Sequence, residues 1–148
     1  MKVAIGCDHA ALDLKKHIIG LLAELGMQVQ DFGTHTTESM DYPDVARPVS
    51  EAVARGEFDR GILICGTGIG MSIAANKVRG IRAALAHDTF SARATREHND
   101  SNVLCLGARV IGPGLAGDIV RVWLATEFTA GRHTRRLAKI SDIENGVC

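Results

Sequence analysis

The sequence lacks an excess of charge of either sign. Its 148 residues include 17 lysines and arginines and 17 aspartates and glutamates, so the formal net charge is zero. A chain without an overall electrostatic field has little long-range attraction for nucleic acid or for an anionic membrane surface. We therefore expect neither as a partner, and a bound anion must be held by a few locally placed groups.

Long apolar segments are absent as well. The first apolar run, VAI at residues 3–5, ends at Gly6. It is far too short for a signal sequence or a membrane span. We expect a cytoplasmic protein.

Paired cysteines and metal-binding histidine motifs are also missing. No two cysteines form a C-x-x-C pair, and a chain of this length can bury enough apolar surface to fold without disulfides. We therefore predict free thiols at Cys7, Cys65, Cys105 and Cys148. The six histidines include neither an H-x-x-x-H nor an H-E-x-x-H spacing, so we expect no metal site.

Apolar segments typical of buried strands alternate with amphipathic segments along the chain. The predicted strands are at 2–7, 29–32, 61–65, 81–86 and 103–107. The predicted helices are at 12–25, 45–55, from about 69, at 89–98, at 113–128 and at about 133–146. This alternation predicts one α/β domain over residues 1–148, a Rossmann-like three-layer α/β/α sandwich with a five-stranded parallel sheet.

Two other segments are candidates for function. The stretch THTTESMDYPD at 34–44 is polar and ends around a proline, which predicts a loop. A loop of that length in a small domain is often functional. The last predicted helix has apolar residues at 137, 140 and 143, and we expect it to pack on a partner subunit.

Polar residues follow four of the predicted strands. They are Cys7-Asp8-His9, the stretch Cys65–Gly70, His87-Asp88 and Gly107-Ala108-Arg109. In a parallel sheet, ligands bind beyond the carboxyl ends of the strands, where helix N-termini present free amides. The sequence therefore predicts a binding site at this edge.

The glycine-rich stretch Gly66–Gly70 resembles two known phosphate-binding motifs but matches neither. A P-loop needs a Gly-Lys pair after four spacer residues, and the dinucleotide motif needs Gly or Ala where Met71 stands. Glycines at a helix N-terminus can still present several N–H groups to an anionic oxygen. The alternative is a plain tight turn between a strand and a helix.

Cys65 directly precedes this turn. Near the positive end of a helix dipole, a cysteine gains thiolate character and reactivity. A cysteine that closes an apolar strand can equally be a small buried core residue. Cys7 and Cys105, which have no glycine turn beside them, fit the core interpretation better.

Four basic residues begin the last predicted helix. Arg132 and Arg136 are four residues apart and share one helical face, so with His133 and Arg135 they could clamp a phosphate. They could also be ordinary solvated residues.

Two histidine-containing stretches have ordinary explanations beside functional ones. His98-Asn99-Asp100 ends a predicted helix and could be its C-terminal cap and a turn. Asp8 and His9 could form an Asx turn into the first helix.

Several motifs, in this order along the whole chain, resemble those of the type B ribose-5-phosphate isomerases of the ribose/galactose phosphate isomerase family. They are GCDHA, FGTHTTESMDYPD, ILICGTGIGMSIAANKVRGIRAAL, REHNDSNVL, GARV and GRHTRR. A match of this extent is highly specific. It implies an aldose-ketose isomerase.

The resemblance implies three catalytic residues. Cys65 would take the proton from C2 of the substrate, Thr67 would move protons between the two oxygens, and His98 would be the acid that opens the furanose ring. Some relatives use a carboxylate where this chain has Met71, so the chain resembles the branch that uses cysteine.

The resemblance also implies the substrate-binding residues. The enediolate oxygen would be held by amides of Gly66, Thr67, Gly68, Ile69 and Gly70. Sugar hydroxyls would be bound by Asp8, His9 and Asn99, and the phosphate by Arg109, Arg132 and Arg136 with help from His9. Tyr42, Met71 and His87 receive no role.

The family's sites are built between two subunits, which implies a homodimer or a homotetramer of this chain. Isomerisation needs a base, an oxyanion cradle and a phosphate anchor, and it needs no metal or redox cofactor. We expect ribose 5-phosphate and ribulose 5-phosphate as substrates. The alternatives are another aldose phosphate, such as allose 6-phosphate, or a non-catalytic nucleotide-binding module, which the absent third motif glycine disfavours.

Overall fold

Five short strands form one parallel sheet in the computed structural model, which describes residues 1–147. The strands are β1 (Lys2–Cys7), β2 (Gln28–Asp31), β3 (Arg60–Cys65), β4 (Ala83–Leu85) and β5 (Val103–Gly107). They lie in the order β2-β1-β3-β5-β4. Strands β1, β3 and β5 are almost wholly buried because helices cover both faces of the sheet.

The helices form two layers. They are α1 (Leu12–Glu24), α2 (Pro43–Ala54), α3 (Ile69–Ala75), α4 (Thr89–Asn99), α5 (Pro113–Ala125) and α6 (Arg132–Glu144), and a 3-10 turn at His9–Ala11 precedes α1. Residues of α1, α4 and α5 share one core cluster with the fully buried Trp123. Residues of α2 and α3 share the cluster on the opposite face with Met71. The predicted three-layer α/β/α sandwich is confirmed.

Three predicted boundaries are wrong for local reasons. Helix α2 begins at Pro43, inside the predicted loop at 34–44, because proline fits the first helical position, where its missing N–H costs nothing. Strand β4 has three residues rather than six, and the N–H of Arg82 donates to Asn102 Oδ1 (2.8 Å) instead of to a neighbouring strand. Helix α5 ends at Ala125 because Thr126 is extended.

The three described cysteines are free thiols, as predicted, while Cys148 lies outside the described residues. Burial raises the pKa of Cys7 to about 11 and raises the pKa of the fully buried Cys105 as well. Both side chains stay neutral at physiological pH, so they serve as small apolar core residues.

Helix α6 is anchored on its own chain at both ends. Before its first turn, the backbone N–H and the hydroxyl of Thr129 both donate to the Glu97 carbonyl of α4 (3.1 and 2.8 Å). At its last turn, the Glu144 carboxylate accepts from the N–H of Gly80 (3.0 Å). Packing of α6 on a partner subunit stays a prediction. No helix within residues 1–147 is long and apolar enough to span a lipid bilayer.

Candidate active site

The carboxyl ends of β1, β3 and β5 meet at one edge of the sheet and are joined by backbone hydrogen bonds. The N–H of Asp8 donates to Ile64 (3.1 Å), that of Ala108 to Cys65 (2.9 Å) and that of Arg109 to Gly66 (2.9 Å). The part of the predicted rim that follows these three strands is therefore a continuous surface. It carries Asp8, His9, Cys65, Gly66, Thr67, Gly68, Ile69, Gly70 and Arg109.

Cys65 lies directly beneath the glycine turn. Its sulfur accepts a hydrogen bond from the N–H of Gly68 at 3.0 Å, a distance typical of smaller oxygen acceptors. Cys65 is 5 % exposed, whereas Cys7 and Cys105 are fully buried. Cys65 belongs to the same core cluster as Cys105, and it is the one described cysteine that keeps any exposed surface.

The glycines of the turn are required by close packing. Gly68 has φ +75°, and a Cβ there would lie 2.9–3.0 Å from the carbonyl group of Leu106. A Cβ on Gly70 would lie 2.6–2.9 Å from the ring of Tyr42. The turn therefore sits against β5 on one side and against the start of α2 on the other, which fixes the amides above Cys65.

The three residues without a predicted role differ in their exposure. Tyr42 is partly exposed and packs on Gly70. Met71 is fully buried in the core, so it lines no surface site. The Nε2 atom of His87 is buried without a hydrogen-bond partner in the described residues, next to Gly107.

Asp8 makes the contact that an Asx turn predicts, and His9 makes a contact with a distant loop. Asp8 Oδ1 accepts from the N–H of Ala10 (2.9 Å) and caps the 3-10 turn. His9 Nδ1 accepts from the N–H of Met40 (3.3 Å), which ties the 34–42 loop to the rim. His9 also lines a cleft of about 570 Å³, together with Thr37 and Ala108.

Arg109 supplies a positive charge beside the turn. Its guanidinium lies about 3.5 Å from the position that a Cβ on Gly66 would occupy. The side chain is exposed, so it can meet an anion. Within residues 1–147, no three His, Cys, Asp or Glu side chains are grouped so that they could hold a metal ion.

The remaining predicted residues lie at the opposite edge of the sheet. Helix α4 starts behind β4 at the carboxyl edge and returns to the amino end of β5, so His98 and Asn99 in its last turn are about 16 Å from its beginning. His98 stacks on His133 of α6, with ring centroids 4.3 Å apart and planes 12° apart. Arg132 and Arg136 flank that stack. One chain therefore holds two separate clusters.

Two contacts made by residues of these clusters could not be predicted from the sequence. Helical spacing placed Arg132 and Arg136 on one face, but no local signal indicated that His133 would meet His98 across two helices. The packing of Tyr42 on Gly70 was equally hidden, because it joins two elements far apart in the sequence.

A family model described as ribose/galactose isomerase matches residues 3–140. The chain belongs to this family. The ribose-5-phosphate isomerase B of Escherichia coli is 51 % identical over 143 residues, covering 97 % of this chain and 96 % of that protein. The D-erythrulose-4-phosphate isomerase of Pectobacterium atrosepticum is 49 % identical over 146 residues, covering 98 % and 96 %.

A solved structure supports the same assignment. The ribose-5-phosphate isomerase B of Clostridium thermocellum has a TM-score of 0.97 and 56 % identity, covering 99 % of each chain. Membership of the ribose/galactose isomerase family makes the protein an enzyme that isomerises a sugar phosphate. The two curated relatives are nearly equally similar and are named for different sugar phosphates, so overall identity does not select the substrate.

Replacing Gly68 by alanine is expected to destabilise the fold by about 1–3 kcal/mol, because a left-handed residue would gain a Cβ against the Leu106 carbonyl. Gly114→Ala is the control, since Gly114 lies in the first turn of α5 without a positive φ and with open space around its Cβ position, so this variant should not lose stability. Denaturant unfolding of both variants measures the difference. Equal stabilities would contradict the described packing of the turn.

Proposed function

We propose that this enzyme interconverts ribose 5-phosphate and ribulose 5-phosphate through an enediolate, with Cys65 as the base. The observation that carries the proposal is the position of the Cys65 sulfur, 3.0 Å from the Gly68 nitrogen and directly beneath the glycine turn. Arg109 lies beside the same turn. The names of the relatives from E. coli and C. thermocellum support the choice of substrate.

The isomerisation moves one hydrogen from C2 to C1 and one proton from O2 to O1. The Cys65 thiolate removes the C2 proton, and the electron pair of the broken C–H bond forms the C1–C2 double bond while the carbonyl electrons move to O1. Amides of the Gly66–Gly70 turn stabilise the charge on O1. Thr67 transfers a proton from O2 to O1. The negative charge now on O2 re-forms the carbonyl at C2, and the electron pair of the C1–C2 double bond takes the proton from the Cys65 thiol, which restores the thiolate. All electrons remain in the substrate, so no redox partner is consumed.

The substrate needs two further kinds of contact. His98 acts as the acid that opens the furanose ring, and hydroxyl groups are bound by Asp8, His9 and Asn99. The phosphate is held by His9 and by Arg109, Arg132 and Arg136, whose guanidinium groups suit a dianion. Binding the distant phosphate positions C1 and C2 for proton transfer.

A second copy of the chain is needed to complete this site. Cys65 lies at the carboxyl edge of the sheet, and His98 lies at the far end of α4. We therefore place His98, Asn99, Arg132 and Arg136 in the site of a partner, within a homodimer or a homotetramer. Ile69 and Ile73 support this arrangement, because they leave an exposed apolar face on α3 next to the turn that a partner would cover.

Cys65→Ala is expected to lower turnover of ribose 5-phosphate by at least about a hundredfold, because the general base is lost. Cys105→Ala is the matched control: it removes the same group from the same face of the sheet, two residues before the end of the adjacent strand. The control should retain near-normal turnover in the same assay. Near-normal turnover of Cys65→Ala would remove Cys65 from the mechanism.

Turnover of ribose 5-phosphate in heavy water is expected to place deuterium on C1 of ribulose 5-phosphate. The proton held by Cys65 exchanges with solvent before it returns to carbon, and nuclear magnetic resonance of the product measures the incorporation. Ribulose 5-phosphate incubated without enzyme corrects for spontaneous exchange. Complete retention of the original hydrogen would favour a direct hydride shift.

Cys65→Ala and His98→Asn chains are expected to complement each other after mixing. A mixed dimer contains one site with both defects and one site with neither. Random exchange makes half of the dimers mixed, so about a quarter of wild-type activity should return. The two variants are denatured and refolded together, with each variant refolded alone as the control. If the mixture is no more active than the separate variants, the site is not shared.

A further inference from the structure

His133 covers the inner face of His98 and has no part in the mechanism above. The two rings are nearly parallel, at 12°, with their centroids 4.3 Å apart. His133 is 7 % exposed, whereas the His98 side chain is 45 % exposed. His133 is therefore the inner ring of the pair, and His98 presents its other face to solvent.

The backbone around His133 fixes the distance between the two helices. Both Thr129 donors bind the Glu97 carbonyl, in the residue that precedes His98. The N–H of His133 donates to Ala130 (3.1 Å) and starts α6 at a defined place. The His98 ring is thus supported by a second ring whose position is set independently of the substrate.

Charges around the stack favour a neutral inner ring. Burial lowers the pKa of His133, and the neighbouring His98 of α4 and Arg132 and Arg136 of α6 lower it further. The carboxylate of Glu97 lies 4.0 Å from Nε2 of His98. The inner ring is therefore the less readily protonated partner of a stack whose outer ring faces solvent.

We propose that His133 is a positioning residue whose buried ring holds the His98 imidazole in the orientation that opens the furanose ring. This inference rests on the proposed role of His98. A flat side chain at position 133 preserves the support, while a side chain of similar bulk without a flat ring removes it.

Two reactions of the same substrate pair separate ring opening from proton transfer at carbon. Ribose 5-phosphate closes into a furanose through its 4-hydroxyl and must be opened before isomerisation. Ribulose 5-phosphate has its 5-hydroxyl phosphorylated and stays open, so exchange of its C1 hydrogen with heavy water needs the Cys65 chemistry alone.

His133→Leu should lower kcat for ribose 5-phosphate by roughly tenfold to a hundredfold, with a smaller change in KM. It should change C1 exchange by less than about twofold, since Cys65 and the turn are untouched.

His133→Phe is the conservative variant and should recover most of the kcat lost in His133→Leu. Equal losses in both reactions, or no recovery with phenylalanine, would show a structural support only and would overturn the inference. If His133→Leu does not fold, as judged by circular dichroism, His133→Asn replaces it in the same pair of assays.

His98→Asn distinguishes this inference from the function on which it rests. If His98→Asn slows ribose 5-phosphate conversion but spares C1 exchange, its ring-opening role holds, and a fully active His133→Leu would then refute the positioning role alone. If His98→Asn slows both reactions equally, the ring-opening role itself fails.

Discussion

The hydrogen bond from the Gly68 amide to the Cys65 sulfur is the contact on which the proposed chemistry depends. It exists because Gly68 adopts a left-handed conformation and its backbone lies against the Leu106 carbonyl. That close approach in turn requires β5 to lie beside β3, as the sheet order provides. The Cys65 sulfur is therefore oriented by the parallel sheet itself, and not by a flexible loop.

Three cysteines in this fold show how position decides the chemistry of one residue type. Cys7 and Cys105 are sealed in the two core layers, where burial raises their pKa and keeps them neutral. Cys65 ends its strand one residue before a turn of amides and retains some exposure. The difference arises from the glycines that follow Cys65, because they let the backbone fold back so that the Gly68 amide meets the sulfur.

Sequence periodicity predicted the layers and the rim because both depend on local patterns. Apolar runs marked the buried strands, and the residues after those runs had to meet at one edge of a parallel sheet. The stack of His98 on His133 could not be predicted, because it depends on how α6 lies against α4. The shortness of β4 was equally hidden, since an Asn102 side chain takes the place of a strand partner for Arg82. The roles of the site residues came from family resemblance, and they stay proposals.

Helix α4 places His98 at the edge of the sheet opposite to Cys65, so the two proposed catalytic residues of one chain lie far apart. If the acid at its last turn serves a neighbouring molecule, a newly made chain is inert until it meets another. Total activity would then rise more steeply than the protein concentration, and it would be lost at high dilution because the chains dissociate. Helix α4 would then connect the two active sites of a dimer. A substitution at its last turn in one chain would disable the site that contains the other chain's Cys65.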